Sequence, residues 1–238
     1  MTAGAATYVA RWELAGVGGV VVAIDVIRAF TTAAYAIAAG ATSIYLVSGV
    51  DEAIALGRSM PGARIMGEDH GRRPAGFDFS NSPVQIARAD VAGRTLVQRT
   101  SAGTQGVVAA TDADRIFAAS LVCASATARA VVSADRGAPT YVITGRFPDR
   151  PDGGTDDLLT AELIERARTG QPIEAETTAG AVRATSEASR TLLLGGEHVD
   201  ADDIAYATQV DRFDFAMEVR RVEGRLQLVR IDPGDEGA

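Results

Sequence analysis

Apolar residues along the chain gather into short runs of strand length, and the stretches between them repeat apolar residues at helical spacing. The runs predict strands over residues 19–25, 43–47, 63–66, 94–98, 115–119 and 140–144. The intervening pattern predicts helices over 28–39, 50–59, 83–89, 104–110 and 123–134, the first stopped by Gly40. Near-continuous apolar strands alternating with helices imply a mostly parallel sheet covered on both faces. After Gly145 the alternation stops. The loop "GRFPDRPDGGTDD" leads into helical patterns over 158–169 and 181–194. Two alternating runs, 215–222 and 225–231, then flank Glu223-Gly224 as a terminal β-hairpin. The predicted fold class is α/β, a three-layer α/β/α arrangement with a mostly parallel central sheet and a C-terminal helical part ending in a β-hairpin. We read residues 1–238 as a single domain with a subdomain boundary near 146–157.

Composition narrows the chemistry. With 238 residues, 47% of them hydrophobic, the chain is long enough for a sizeable core and has no apolar run of membrane-spanning length. The stretch "MTAGAATYVARWELAG" lacks a basic segment followed by an apolar one, so no secretory signal is expected. One cysteine, Cys123, permits neither an internal disulfide nor a cysteine-based metal site, as expected in a reducing cytoplasm. All 23 basic residues are arginine. Without lysine there is no Schiff base, no pyridoxal-phosphate linkage and no GK[ST] phosphate loop. A net charge of -8 and a pI near 4.8 argue against nucleic acid, where a basic face supplies most of the affinity. Membrane binding is not expected either, and a homo-oligomer is left open. An acidic protein still binds a small anion where arginines and backbone amides gather.

In open α/β sheets, ligands bind beyond the carboxyl ends of the parallel strands. Asp25 ends the first run, with Arg28 and Thr31-Thr32 just after it. The segment "GEDHGRRPAGFDFSNSP" after the third run carries Glu68, Asp69, His70, Asn81 and Ser82. "RTSAGTQG" after the fourth carries Thr100, Ser101, Gly103 and Thr104; Ser120 follows the fifth; Arg146, Asp156 and Asp157 follow the sixth. Each has a structural reading beside the functional one. Asp25 fits a helix N-cap or an ion pair with Arg28 as well as a catalytic carboxylate. "SNSP" is a good helix start, and "TSAGT" either caps a helix or offers its N-terminus to an anion. His70, His198 and Cys123 fit surface or core positions. Taken together, the arginines, amides and hydroxyls suit phosphate, and the carboxylates suit a hard divalent cation. Magnesium needs only one or two of them beside substrate oxygens and water. The combination points to metal-assisted chemistry on a phosphate ester.

These motifs also resemble a known family. "VVAIDVIRAFTTAAYAIAAGA", "GE" followed closely by "GFDFSNSP", "RTSAGT" and "ASLVCASATARAV" are similar, in order, to the motifs of 2-phosphosulfolactate phosphatases. The likeness spans residues 18–145 and continues more loosely through "GRFPDRPDGGTDDLLTAELI". It implies an α/β/α fold and magnesium-dependent hydrolysis of 2-phosphosulfolactate to sulfolactate, a step in coenzyme M synthesis. It also implies activity on phosphate esters of other small 2-hydroxy acids. Carried over by position, it puts Asp25, Arg28, Glu68, Asn81, Ser82, Thr100, Gly103, Thr104, Ser120 and Asp156 at the family's recurrent polar positions; we expect catalytic roles for Asp25, Arg28 and Glu68, and magnesium ligation by Asp25, Glu68 and Asp156. The expected contacts to a small anionic phosphate ester are Asn81, Ser82, Thr100, Ser101, Gly103, Thr104, Ser120 and Arg146, of which Ser101 and Arg146 come from their place beyond the strands and not from the likeness. The chain departs from the family pattern at Ala102, where asparagine is common, at Ser80 for glycine, and at Cys123 for a frequent asparagine. The lost amides bear on the choice of ester more than on the chemistry.

The expected mechanism is direct phosphoryl transfer to water, with Arg28 and Arg146 neutralising phosphate oxygens and the 100–104 loop orienting them through backbone amides. An aspartyl-phosphate on Asp25 is the rival. The haloacid-dehalogenase signature places a second aspartate two residues later, where this chain has Ile27. Two other functional classes remain: a non-catalytic phosphate-ester binder that keeps the fold, and a dinucleotide-binding oxidoreductase. The latter fits poorly, because "GVGG" precedes the first strand instead of following it.

Overall fold

The computed structural model describes residues 4–232; residues 1–3 and 233–238, the ends of the predicted domain, lie outside the described residues. The first half of the chain forms β1 (Thr7–Val9), β2 (Val20–Ile24), α1 (Ala29–Ala38), β3 (Ser43–Val47), α2 (Val50–Ser59), β4 (Arg64–Gly67), β5 (Phe79–Ser80), α3 (Pro83–Ala87), β6 (Thr95–Arg99) and α4 (Gly103–Ala109). There follow β7 (Arg115–Ala119), α5 (Ala124–Ser133), β8 (Thr140–Ile143), α6 (Thr155–Arg168), α7 (Ala175–Arg183), α8 (Ser186–Leu194), α9 (Asp203–Ala207), β9 (Ala216–Val222) and β10 (Arg225–Ile231). The six predicted strands and the first five predicted helices are all present, with ends displaced by a residue or two.

Burial on both faces explains why the strands read as unbroken apolar runs. In β2, Val21 and Ala23 join a core shared with α1, while Val20, Val22 and Ile24 face the opposite core formed with α5 and α6. The same alternation recurs in β7, with Ile116 and Ala118 on one side and Phe117 and Ala119 on the other.

The ten strands form one sheet in the order β1-β8-β2-β7-β9-β10-β3-β6-β4-β5. The hairpin that ends the chain lies in the middle of the sheet. β9 pairs antiparallel with β7, and β10 pairs antiparallel with β3, so two parallel halves of opposite sense flank the hairpin. Twist of about 20–25° per strand step accumulates over the five steps from β2 to β6. The total, roughly 100° or more, turns the two sets of carboxyl ends toward one side. Gln98, in β6, accordingly donates from Nε2 to the Ala29 carbonyl at 2.9 Å, tying one half to the helix that follows β2.

Three differences from the sequence reading bear on the site. The predicted helix over 181–194 breaks into α7 and α8, because Thr185 caps a new helix by accepting from the Ala188 amide at 3.3 Å. The helix predicted from 158 starts earlier, at Thr155, which puts Asp156 and Asp157 in the first turn of α6. The short elements β1, β5 and α9 carry too little periodicity to be read from sequence. Among the described residues, no helix is long and apolar enough to cross a membrane.

Candidate active site

Asp25 leaves the end of β2 buried, and its Oδ1 accepts from the Ala29 amide at 2.8 Å, at the start of α1. The capping reading and the functional one therefore coexist. Its carboxylate also faces a cavity of about 480 Å³ lined by Arg28, Glu68, Asn81, Ser101, Asp156 and Asp157, among others. Burial pushes the Asp25 pKa up to about 6, and the charge of Glu68 adds to this. The amides of Ala29 and Gly103 and the charge of Arg28 oppose the rise.

Glu68 organises the turn after β6. Its Oε1 accepts from the Ser101 amide at 2.5 Å, and its Oε2 accepts from the Gly71 amide at 2.6 Å and the Ser101 hydroxyl at 3.0 Å. Two glycines permit this close approach. A Cβ on Gly67 (φ 136°) would lie 1.9 Å from the Arg99 carbonyl oxygen, and one on Gly103 would lie 2.8 Å from both the Ala29 Cβ and Asp25 Oδ2. Within the turn, Thr100 and Thr104 bond to each other. The Thr104 amide donates to Thr100 Oγ1 at 3.0 Å, and the Thr100 amide donates to Thr104 Oγ1 at 2.9 Å. The amides of Thr100, Ser101 and Thr104 are thus already taken, and that of Gly103 is directed at Asp25. The loop shapes the cavity instead of presenting a row of free amides to it.

The two carboxylates opening α6 divide their tasks. Asp157 accepts from the Val26 amide at 3.0 Å and the Gly145 amide at 2.8 Å, which ties the exits of β2 and β8 together. Burial first, then the charges of Asp156 and Asp25, holds its pKa well above the ordinary carboxylate value. Asp156 is buried in the same cavity, and only the amides of residues 156 and 157 offset its charge. Burial, then Glu187, then Asp25 raises its pKa to about 7.

Arg28 is buried, and its partner is not Asp25. Its Nη1 donates to Asp203 Oδ2 at 2.7 Å and to the His198 carbonyl at 2.9 Å. Asn81 is 4% exposed and its Oδ1 has no hydrogen-bond partner. Its neighbour Ser82 caps α3 by accepting from the Gln85 amide at 3.2 Å, and it donates to Asp203 Oδ1 at 2.6 Å.

Of the residues singled out in the sequence, Asp25, Arg28, Glu68, His70, Asn81, Ser101, Asp156 and Asp157 come together on the cavity wall. Ser82, Thr100, Gly103, Thr104, Ser120 and Arg146 are not on that wall. Ser120 is fully buried, and its Oγ has no partner. Sequence reasoning did not single out Asp203, Arg150, Glu187 or Arg190. The last two project from α8 into the cavity and pair at 2.8 Å, so the C-terminal part of the chain contributes a wall. Arg150 lies across the Phe147 ring, 5.1 Å from its centroid, and Arg11 lies 5.0 Å from the same ring. A second cavity of about 460 Å³, between α2, β3 and the hairpin turn, gathers no comparable set of acids and bases.

With Arg28 paired to Asp203 and Arg190 to Glu187, the cavity keeps an excess of carboxylates. Among the described residues, no three His, Cys, Asp or Glu side chains stand close enough to form a ready metal cage. A hard dication that keeps its waters needs fewer. Asp25 and Asp156 fit it: both are buried oxygen donors whose charges repel, and neither has a neutralising guanidinium of its own. Glu68 faces the same space, but it would have to give up bonds to the Ser101 turn to act as a ligand.

Comparison with known proteins adds an independent line. A family model described as 2-phosphosulpholactate phosphatase matches residues 9–221. The chain is 32% identical over 201 residues to the probable 2-phosphosulfolactate phosphatase of Bacillus subtilis, covering 84% of this chain and 86% of that protein. Against the protein of the same name from Thermoplasma acidophilum it is 29% identical over 208 residues, covering 86% and 87%. Against that of Thermus thermophilus it is 36% identical over 146 residues, covering 61% and 60%.

Proposed function

The chain belongs to the 2-phosphosulpholactate phosphatase family, and on that premise we propose that it is a magnesium-dependent phosphatase of small 2-hydroxy acid phosphates. The ester in the names of its relatives, 2-phosphosulfolactate, is the first substrate to test. One observation carries the reading. Two buried carboxylates with mutually repelling charges, Asp25 and Asp156, line one cavity together with Arg28. Folding alone gains nothing from that repulsion, whereas a cation and a phosphate group satisfy both signs of charge.

Asp25 and Asp156 would hold the magnesium, which when bound would draw charge from the phosphoryl oxygens and ease attack by water. Arg28, with Nη1 engaged by Asp203, directs the rest of its fork at the equatorial phosphate oxygens. Asn81 adds a buried amide whose Oδ1 no protein group satisfies. Glu68 holds the Ser101 turn against the cavity, and Gly103 lets that turn close on Asp25. Arg150 and Arg190, toward α8 and the Phe147 loop, are placed to meet the acid end of the ester.

The test is phosphate release from 2-phosphosulfolactate, phospholactate and phosphoglycolate, with magnesium and with chelator, by wild type and Asp25→Asn. Magnesium-dependent release that falls about 10²–10³-fold in the variant is expected, the cost of losing one charge-stabilising group. Tight ester binding with no release under any condition would leave a non-catalytic binder as the better account.

A further inference from the structure

Asp203, the first residue of α9, is fully buried and outside the cavity wall. Its Oδ2 accepts from Arg28 Nη1 at 2.7 Å and from the Asp200 amide at 3.0 Å; its Oδ1 accepts from the Ser82 hydroxyl at 2.6 Å and the Val84 amide at 3.3 Å. A carboxylate has about four acceptor sites, so this one is saturated and has no capacity left for a ligand. What it holds does face the ligand space. Arg28 lines the cavity, and among the described residues its Nε and Nη2 donate to no protein group; Asn81, next to Ser82, lines it too, and its buried Oδ1 has no partner.

We propose that Asp203 is a positioning residue for the reaction: one buried carboxylate fixes the Arg28 fork and the Asn81-Ser82 corner in the orientation that receives the phosphate ester. The proposal rests on the reading of this cavity as a phosphate-ester site. Stability does not explain the pair, because a buried ion pair is often no more stable than apolar residues of the same volume. Orientation does. Asp25, Glu68 and Asp156 face the same cavity as Arg28, and an untethered guanidinium would swing onto one of them. Such a collapse would cancel both the charge meant for the phosphate and the carboxylate meant for the metal.

A double-mutant cycle on the full chain separates positioning from general support of the fold. It uses Asp203→Asn, Arg28→Gln and the pair, read as kcat and KM for phosphate release, with thermal midpoints measured alongside. Asp203→Asn is expected to lower kcat/KM about 10²-fold, mostly through kcat, as a misplaced group of this kind does. In the Arg28→Gln background the same change is expected to cost less than about threefold, since its target is already gone. Equal losses in both backgrounds overturn the proposal, and so does an Asp203→Asn enzyme within about twofold of wild type. Arg28→Gln with full activity sinks the role of Arg28 itself, and the proposal with it. Should Asp203→Asn not fold, Ser82→Ala, which frees one arm of the clamp, enters the same cycle with the same criteria. If the wild type releases phosphate from no ester, the phosphatase reading has failed separately, and the cycle is read from calorimetric affinity for inorganic phosphate.

Discussion

Asp156→Asn, examined in metal-free protein, probes the electrostatics of the site most directly. Burial and the neighbouring charges of Glu187 and Asp25 raise the Asp156 pKa from 3.8 to about 7. A folded-state pKa above the unfolded one means that the native protein keeps a proton the unfolded chain has already lost. The stability it confers is therefore whole below about pH 4 and is lost as the pH rises through about 7. Asparagine does not titrate, so the variant loses nothing at this position over that window. A gap of about three pK units, at about 1.4 kcal/mol each, sets the scale. Most of it falls between pH 5 and pH 8. The stability of the variant relative to wild type should thus rise by ~2–3 kcal/mol from pH 5 to pH 8. Urea denaturation in chelator at both pH values measures this, and taking the difference between the two proteins removes carboxylates remote from Asp156; Asp25 and Asp157, relieved of its charge in the variant, move the difference in the same direction. Added magnesium should then stabilise wild type, by about 2.7 kcal/mol at a hundredfold excess over its Kd, and the variant much less. A difference that stays flat or falls with pH, or equal stabilisation of both proteins by magnesium, would refute the argument.

Two further outcomes follow from packing. Gly103→Ala would force a Cβ to 2.8 Å from both the Ala29 Cβ and Asp25 Oδ2, so a loss of about 1–3 kcal/mol by urea denaturation is expected. Phosphate release should fall with it, and wild-type stability and rate together would contradict the close approach. Truncation after Asp214 removes β9 and β10 from between β7 and β3, and no cooperative thermal transition should remain. A truncated chain that melts like wild type would make the hairpin an appendage.

The order of strands and helices up to Thr144 was legible because nearly every strand is buried on both sides, and that constraint acts locally on sequence. The place of the hairpin was not. Residues such as Glu218, Arg220 and Arg221 give β9 the look of a solvated edge. In the sheet, Glu218 is 8% exposed and accepts from Arg115 Nε, on adjacent β7, at 2.9 Å and from Arg220 Nε at 2.9 Å. The Glu218 charge is met by one arginine on the adjacent strand and by another two residues along its own strand. Arg115 is 103 residues away in the chain, beyond the reach of any local pattern.

The site divides along the same line. Asp25, Arg28, Glu68, Asn81 and Asp156 were legible as polar residues just beyond predicted strands, and they share one cavity. Thr100 and Thr104 have the same sequence signature, yet their hydroxyls bond within the turn. Hydroxyls that cap a turn and hydroxyls that bind a ligand look alike until their partners are known. Asp203 was invisible, since its meaning depends on an arginine 175 residues away. What sets Asp156 apart from these structural polar groups is that the fold does not need its charge, whereas Asp25 both caps α1 and faces the cavity. Asp157 and Asp203 each accept bonds that hold separate segments together, and removing either carboxylate should loosen the structure. Asp156 ties no distant segment, and it and Asp25 raise the cost of each other's ionisation. An amide in place of Asp156 would serve folding better. A carboxylate kept where folding would favour an amide is there for something that binds.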